Sequence, residues 1–166
     1  IFSKGSTSAK IKSRYDLKTK NMFFLRGEKI LKSNYQTTVK DIQTKTLLDL
    51  EKVNMNIENE VLKGENVLVI SNYDLPQNDK LFFANSMFDL KNENVVAKDI
   101  EIQLKKNSFD NIDNDPRLKG VSLTKENDIT TINKGIFTSC KKDDNCPPWA
   151  ISAKKITHDK NKKQLI

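Results

Sequence analysis

No apolar run in this chain approaches the roughly 20 residues that a membrane-spanning helix needs. The longest, such as Met22-Phe23-Phe24-Leu25 and Val67-Leu68-Val69-Ile70, stop at four residues. Only one histidine is present, so a Ser-His-Asp or Cys-His arrangement would have to use His158. That residue sits beside Asp159 in a lysine-rich stretch where an exposed structural role is expected. There is no G-x-S-x-G elbow and no phosphate-cradling glycine loop. Asp110, Asp113 and Asp115 have the composition of a calcium loop, but the glycine of the sharp turn and the late bidentate glutamate are missing, so a solvated turn before Pro116 is expected. Cys140, Cys146 and His158 make three soft ligands where a structural zinc site wants four at compact spacing. The expectation is a chain that is not an enzyme and holds neither metal nor cofactor.

Arginine is also scarce. Lysine and arginine together number 29 against 22 aspartate and glutamate, for a net charge of +7, and almost all of the excess is lysine, a point charge rather than a bidentate fork. Such a balance suits nucleic acid, a phosphate-bearing glycolipid or an anionic membrane face. The lysines are interspersed with acids, however, which reads as a solvated surface. They are not interleaved with exposed aromatics or a nucleic-acid reading motif. The first residues, Ile1 to Ser6, contain no charged segment followed by an apolar one, so an export signal, if the protein has one, is not within them.

What the chain does have is alternation. Val53-Asn54-Met55-Asn56-Ile57, Ile100-Glu101-Ile102-Gln103-Leu104, Val121-Ser122-Leu123, Phe137-Thr138-Ser139 and Trp149-Ala150-Ile151-Ser152-Ala153 place apolar or small side chains on one face and mostly polar ones on the other. Turn chemistry separates them at Lys63 to Asn66, Asn72 to Asp79, Lys91 to Asn94 and Asp110 to Pro116. The stretch from Asp41 to Glu51 suits either a short helix or a strand pair. Leu25-Arg26-Gly27, Leu62-Lys63-Gly64 and Leu118-Lys119-Gly120 each precede a strand-like run, as though one β-turn-β unit recurs. A second echo pairs the Tyr15-Asp16-Leu17 and Phe88-Asp89-Leu90 segments, and more faintly His158-Asp159, each opening a lysine- and asparagine-rich hairpin. At 166 residues, one antiparallel all-β domain spanning the chain is the expectation.

Rare residues gather near the end. The order Gly135-Ile136-Phe137-Thr138-Ser139-Cys140, a short polar loop, Trp149-Ala150-Ile151-Ser152-Ala153 and then Ile156-Thr157-His158-Asp159 resembles the segment of the LptD family of lipopolysaccharide-assembly outer-membrane proteins (also called organic solvent tolerance proteins) that leads into the β-barrel. From about Ala9 to Thr131 the repeat pattern is similar to that of the OstA-type domain shared by LptA, LptC and the periplasmic part of LptD. The resemblance implies a V-shaped antiparallel β-jellyroll of stacked hairpin repeats, a single periplasmic domain over residues 1–166 ending just before an outer-membrane barrel. It implies a role in lipopolysaccharide transport, with the acyl chains of lipid A as cargo. The partners implied are an LptA-like bridge protein, the chain's own C-terminal barrel and an LptE-like plug lipoprotein, at the periplasmic face of a Gram-negative outer membrane.

On this reading the inward members of the alternating strands, Val53, Met55, Ile57, Val67, Val69, Ile100, Ile102, Leu104 and Trp149, are candidates to line a lipid groove. Lys52, Lys98 and Lys105 are candidates to meet lipid phosphates at its rim. Ala9, Lys10, Ile11 and Lys12 form the candidate edge strand for the bridge protein, because an open jellyroll leaves its first strand unpaired. Cys140 and Cys146, separated by five turn-forming residues, can close a local disulfide worth about 2 kcal/mol; the resemblance instead implies links to cysteines of the barrel. Two other classes stand beside this one: a structural or adhesion β-domain without lipid cargo, and a basic nucleic-acid-binding module.

Overall fold

The computed structural model describes residues 1–106, 114–141, 149–159, 161–162 and 164–165. Among these no residue is helical, and all strand pairings are antiparallel. The strands are β1 (Phe2–Ile11), β2 (Tyr15–Leu25), β3 (Ile30–Ser33), β4 (Thr37–Asp41), β5 (Thr46–Asn56), β6 (Val61–Ser71), β7 (Lys80–Asp89), β8 (Asn94–Gln103), β9 (Arg117–Glu126), β10 (Ile129–Thr138), β11 (Ile151–Asp159) and β12 (Gln164–Leu165). They form one sheet in which chain neighbours are sheet neighbours, with β4 beside the main path between β2 and β5. The stretch from Asp41 to Glu51 resolves as the strand-pair alternative: the end of β4, a turn over 42–45 and the first half of β5. There the Asp41 carboxylate accepts the amides of Gln43 and Thr44, a local bond that competes with helix.

Strand periodicity breaks once in nearly every long strand, always near the middle. In β5 the inward residues are Leu48 and Leu50, then Val53 and Met55; in β6 they are Leu62 and Gly64, then Val67 and Val69; in β8 they are Val95 and Ala97, then Ile100 and Ile102. Spacing of two, then three, then two means that the strand kinks at its middle. From β6 to β11 the pairing register continues unshifted through the kink, so neighbouring strands bend together, and a register shift accompanies it only between β1 and β2 and between β5 and β6. Backbone in the left-handed region marks the kink in β1, β2, β5, β6, β8 and β10, at Gly5 (φ 86°), Asn21 (47°), Lys52 (47°), Asn66 (48°), Asp99 (50°) and Lys134 (51°). The register lines these positions up. Asn66 lies across from Ala84, Ala84 from Asp99, Asp99 from Val121, Val121 from Lys134, and Lys134 from Lys154. A crease therefore crosses the sheet at right angles to the strands.

At the crease one strand is fully broken. β3 pairs with the second half of β2 and of β5, while β4 pairs with their first halves, so the two short strands together occupy one strand's place. Buried hydroxyls replace the ladder there: Thr19 Oγ1 lies 2.8 Å from both Ser33 Oγ and Thr37 Oγ1. Ser33 donates to the carbonyl of Lys20, and Thr37 to that of Tyr35.

The sheet doubles over along this line, so that both halves of each strand turn the same apolar face inward. Small residues make the fold-over possible. A Cβ on Gly64 would lie 2.3 Å from Leu50 Cδ1, one on Gly120 would lie 2.6 Å from Ile132 Cγ2, and one on Gly135 would lie 2.4 Å from Ile156 Cδ1. Two copies of the Leu-Lys-Gly repeat thus sit inside β6 and β9 rather than at turns; only Leu25-Arg26-Gly27 leads into one. The predicted turn at Lys63 to Asn66 is likewise the crease of β6. Turn chemistry was present because the kink at Asn66 needs the same positive φ as a turn. The aspartate echo holds at Asp89 and Asp159, whose carboxylates accept the amides of Asn92 and of Asn161 and Lys162. Asp16, by contrast, lies within β2.

Candidate binding cavity

Between the two halves lies a cavity of about 1050 Å³. One wall carries Leu48, Val69, Leu81, Phe83, Ile102, Leu104, Leu118, Phe137 and Ile151; the facing wall carries Phe88, Leu90, Val95, Leu123, Ile132 and Ile156. Phe83 and Phe88, one on each side of the crease in β7, have ring centroids 6.3 Å apart. Polar residues line it mostly near the strand ends, among them Asp41, Asp79, Asp89, Glu93, Lys125 and His158, and Arg14, Tyr15 and Val39 bound it toward the chain's start.

Packing is graded along the crease. Toward the chain's start the halves are in contact: Tyr15 and Leu17 are 1% exposed, and Leu50, Met55 and Leu62 are 0% exposed. Toward β11 the inner residues Leu81, Leu90, Val95, Ile102 and Leu118 are only half-buried, and Ile151 is 60% exposed. The fold is thus a filled core at one end and an open trough at the other.

A chain of polar contacts ties the rims together at the filled end. Glu60, at the tip of the β5–β6 hairpin, accepts the Lys12 ammonium at 2.6 Å and the Tyr15 hydroxyl at 3.0 Å. Both donors belong to the opposite rim. The Arg14 guanidinium lies 5.0 Å from the Tyr15 ring centroid and grips Asp41 through Nε and Nη2 at 2.6 to 3.1 Å. Bonds from Lys12 first, and Tyr15 second, hold the Glu60 carboxyl below its ordinary range despite some desolvation. Burial pushes the Asp41 carboxyl up, but its bonds from Arg14, Thr44 and Gln43 outweigh this and leave it lowered. Burial, followed by the bond to Glu60, raises the Tyr15 phenol.

The sequence candidates divide among three places. Val69, Ile102 and Leu104 line the cavity. Val53, Met55, Val67 and Ile100 are buried in the packed core, and Ile57 packs half-buried against it. Trp149 is in neither: it is 44% exposed and precedes β11 rather than belonging to it. Its ring packs on Phe137 at 5.9 Å, and its carbonyl accepts the Thr138 hydroxyl. Lys52 and Lys98 lie on the outer surface, flanking a shallow depression with Lys63 and Met87, and Lys52 pairs with Glu65 at 2.6 Å. Lys105 is at the rim, its amide held by the Asp79 carboxylate at 2.8 Å. Sequence reasoning passed over Phe83, Phe88, Leu118, Leu123, Ile132 and Ile156. Their signal was the two-three-two spacing, legible only once a mid-strand kink is allowed in every strand.

The bridge between Cys140 and Cys146 is not formed. Cys140 is a free, buried cysteine with Sγ 3.7 Å from the carbonyl oxygen of Trp149, so its thiol is turned toward the start of β11; Cys146 lies outside the described residues, as do Asp110 and Asp113. Among the described residues no cluster of His, Cys, Asp and Glu could hold a metal ion. Of the proposed edge segment, Ala9, Lys10 and Ile11 belong to β1, which has β2 as its sole neighbour among the described residues; Lys12 is in the turn that follows. At the other end β12 pairs with His158 and Asp159, so that among the described residues most of β11 is a second edge. No family model matches the chain, and no curated protein is detectably similar to it in sequence.

Proposed function

We propose that this chain is a lipid-carrying module of lipopolysaccharide transport, an OstA-like V-shaped jellyroll forming the periplasmic domain of an LptD-like outer-membrane protein. One observation carries the reading: an apolar trough of about 1050 Å³, at the upper end of the roughly 300–1,000 Å³ of small-molecule sites, held open between the two halves of the creased sheet beside a packed core. Each methylene kept from water is worth about 0.8 kcal/mol, so a continuous dry groove suits a cargo with several acyl chains. Cargo would arrive from an LptA-like bridge protein added to the β1 edge, and leave past β11 toward a barrel with its LptE-like lipoprotein. The sequence order of the rare residues between Gly135 and Asp159 supports that placement.

Photo-crosslinking amino acids at Ile102 and Leu118, neighbours across β8 and β9, should capture purified lipopolysaccharide, and one at Lys119, on the outer face, should not. Capture from Lys119 alone, or from none of the three, would rule the reading out in favour of a β-domain without lipid cargo.

A further inference from the structure

We infer that the contact among Lys12, Tyr15 and Glu60 is a latch at the closed end of the cavity, which Tyr15 bounds, and that its release extends the cavity past Tyr15 to the β1 edge. Every strand from β5 to β11 doubles over at the same crease, yet the two walls touch at one end of the sheet and stand apart at the other. The end where they touch is where Glu60 reaches across from the β5–β6 tip to Lys12 and Tyr15 on the far rim. Behind that contact the walls are built from the same kind of inward apolar side chains as the open trough, Leu17, Leu50, Met55 and Leu62. Parted, they would continue it.

Parting them exposes apolar surface, so the open form needs an occupant that replaces the lost contacts, since a ligand shifts such an equilibrium only by its preference for one state. An acyl chain does so. The extension therefore rests on the lipid reading given above; the latch itself does not. Arg14 helps set the closed geometry by stacking on the Tyr15 ring while Asp41 fixes its guanidinium.

The test uses the whole chain with Glu60→Gln, which removes the charge and keeps the side-chain shape. A second variant carries Lys12→Cys and Glu60→Cys, joined by a bismaleimide, in a background with Cys140→Ser and Cys146→Ser. Amide hydrogen exchange and cis-parinaric acid, a fluorescent long-chain acyl probe, are the two readouts. Glu60→Gln should speed exchange in Tyr15–Thr19 and Val53–Leu62 by ~10-fold or more and leave Ile100–Gln103 and Ile129–Ile132 unchanged. It should also raise the parinaric acid bound per chain, and the cross-linked variant should reverse both effects. Unchanged exchange, or equal acceleration in all strands, overturns the latch. Local acceleration with no added probe overturns the extension. If the unmodified chain binds no parinaric acid, the lipid reading falls and the extension with it, while exchange still decides the latch.

Discussion

Gly64 shows how much a single atom decides in this sheet. Its missing Cβ would lie 2.3 Å from Leu50 Cδ1 and 3.3 Å from Leu50 Cβ, and Leu50 is 0% exposed, so the leucine has nowhere to go. Gly64→Ala should destabilise by about 1–3 kcal/mol through overpacking. Chemical denaturation of the single variants and of Gly64→Ala/Leu50→Ala should show a double loss smaller than the sum, because the smaller side chain makes room for the methyl. Equal additivity would mean the two residues do not meet. The glycine was visible in the sequence as part of a repeat, but its role was not: Leu-Lys-Gly is common at turns, and only the close approach of Leu50 from the neighbouring strand β5, across the kink, turns it into a crease position. Trp149 was misplaced for a related reason. Alternation from Trp149 to Ala153 fits a strand, whereas the Trp149 carbonyl is taken by Thr138 and Cys140 instead of a ladder partner, and β11 starts two residues later.

Individual strands were the most readable level, since Val53-Met55 and Ile100-Ile102 alternate without interruption within one half of β5 and of β8. The same alternation breaks at Lys52 and Asp99, and a break after four or five residues looks like a strand end. That is why the inward sets on the two sides of each crease, such as Phe83 and Phe88, were not joined into one element. The kinks are unequally served by their residues. Asparagine, as at Asn21 and Asn66, tolerates left-handed backbone, whereas a longer side chain is strained there by roughly 1 kcal/mol. Lys134 is held at φ 51° in β10. Lys134→Asn should therefore stabilise the protein by about 0.5 kcal/mol, and Asn66→Val should destabilise it by more, both read from denaturation midpoints. A loss of stability in Lys134→Asn would mean that the crease is held by lysine-specific contacts and not by backbone preference.

Across the whole molecule, acid should loosen the packed end first. The carboxyls of Glu60 and Asp41 are both held below their ordinary values, so the folded chain binds fewer protons than the unfolded one and stability rises with pH. Their contribution is complete above the ordinary carboxylate range and disappears as pH falls through the lowered folded values. Melting temperature should drop between about pH 6 and about pH 3, and the drop should be shallower in Glu60→Gln, whose side chain does not titrate. An equally steep drop in that variant would show that the contact carries no pH-dependent stability. The crease has a different consequence, for size. Because each strand bends for itself and meets its neighbour in the same register, hairpins can be inserted without redrawing the cross-section. Strands are spaced about 4.8 Å apart, so one hairpin lengthens the trough by about 10 Å. A single added strand would deliver the chain to the wrong rim. Capacity in such an architecture is counted in whole hairpins, and a longer or shorter cargo selects for their number rather than for wider walls.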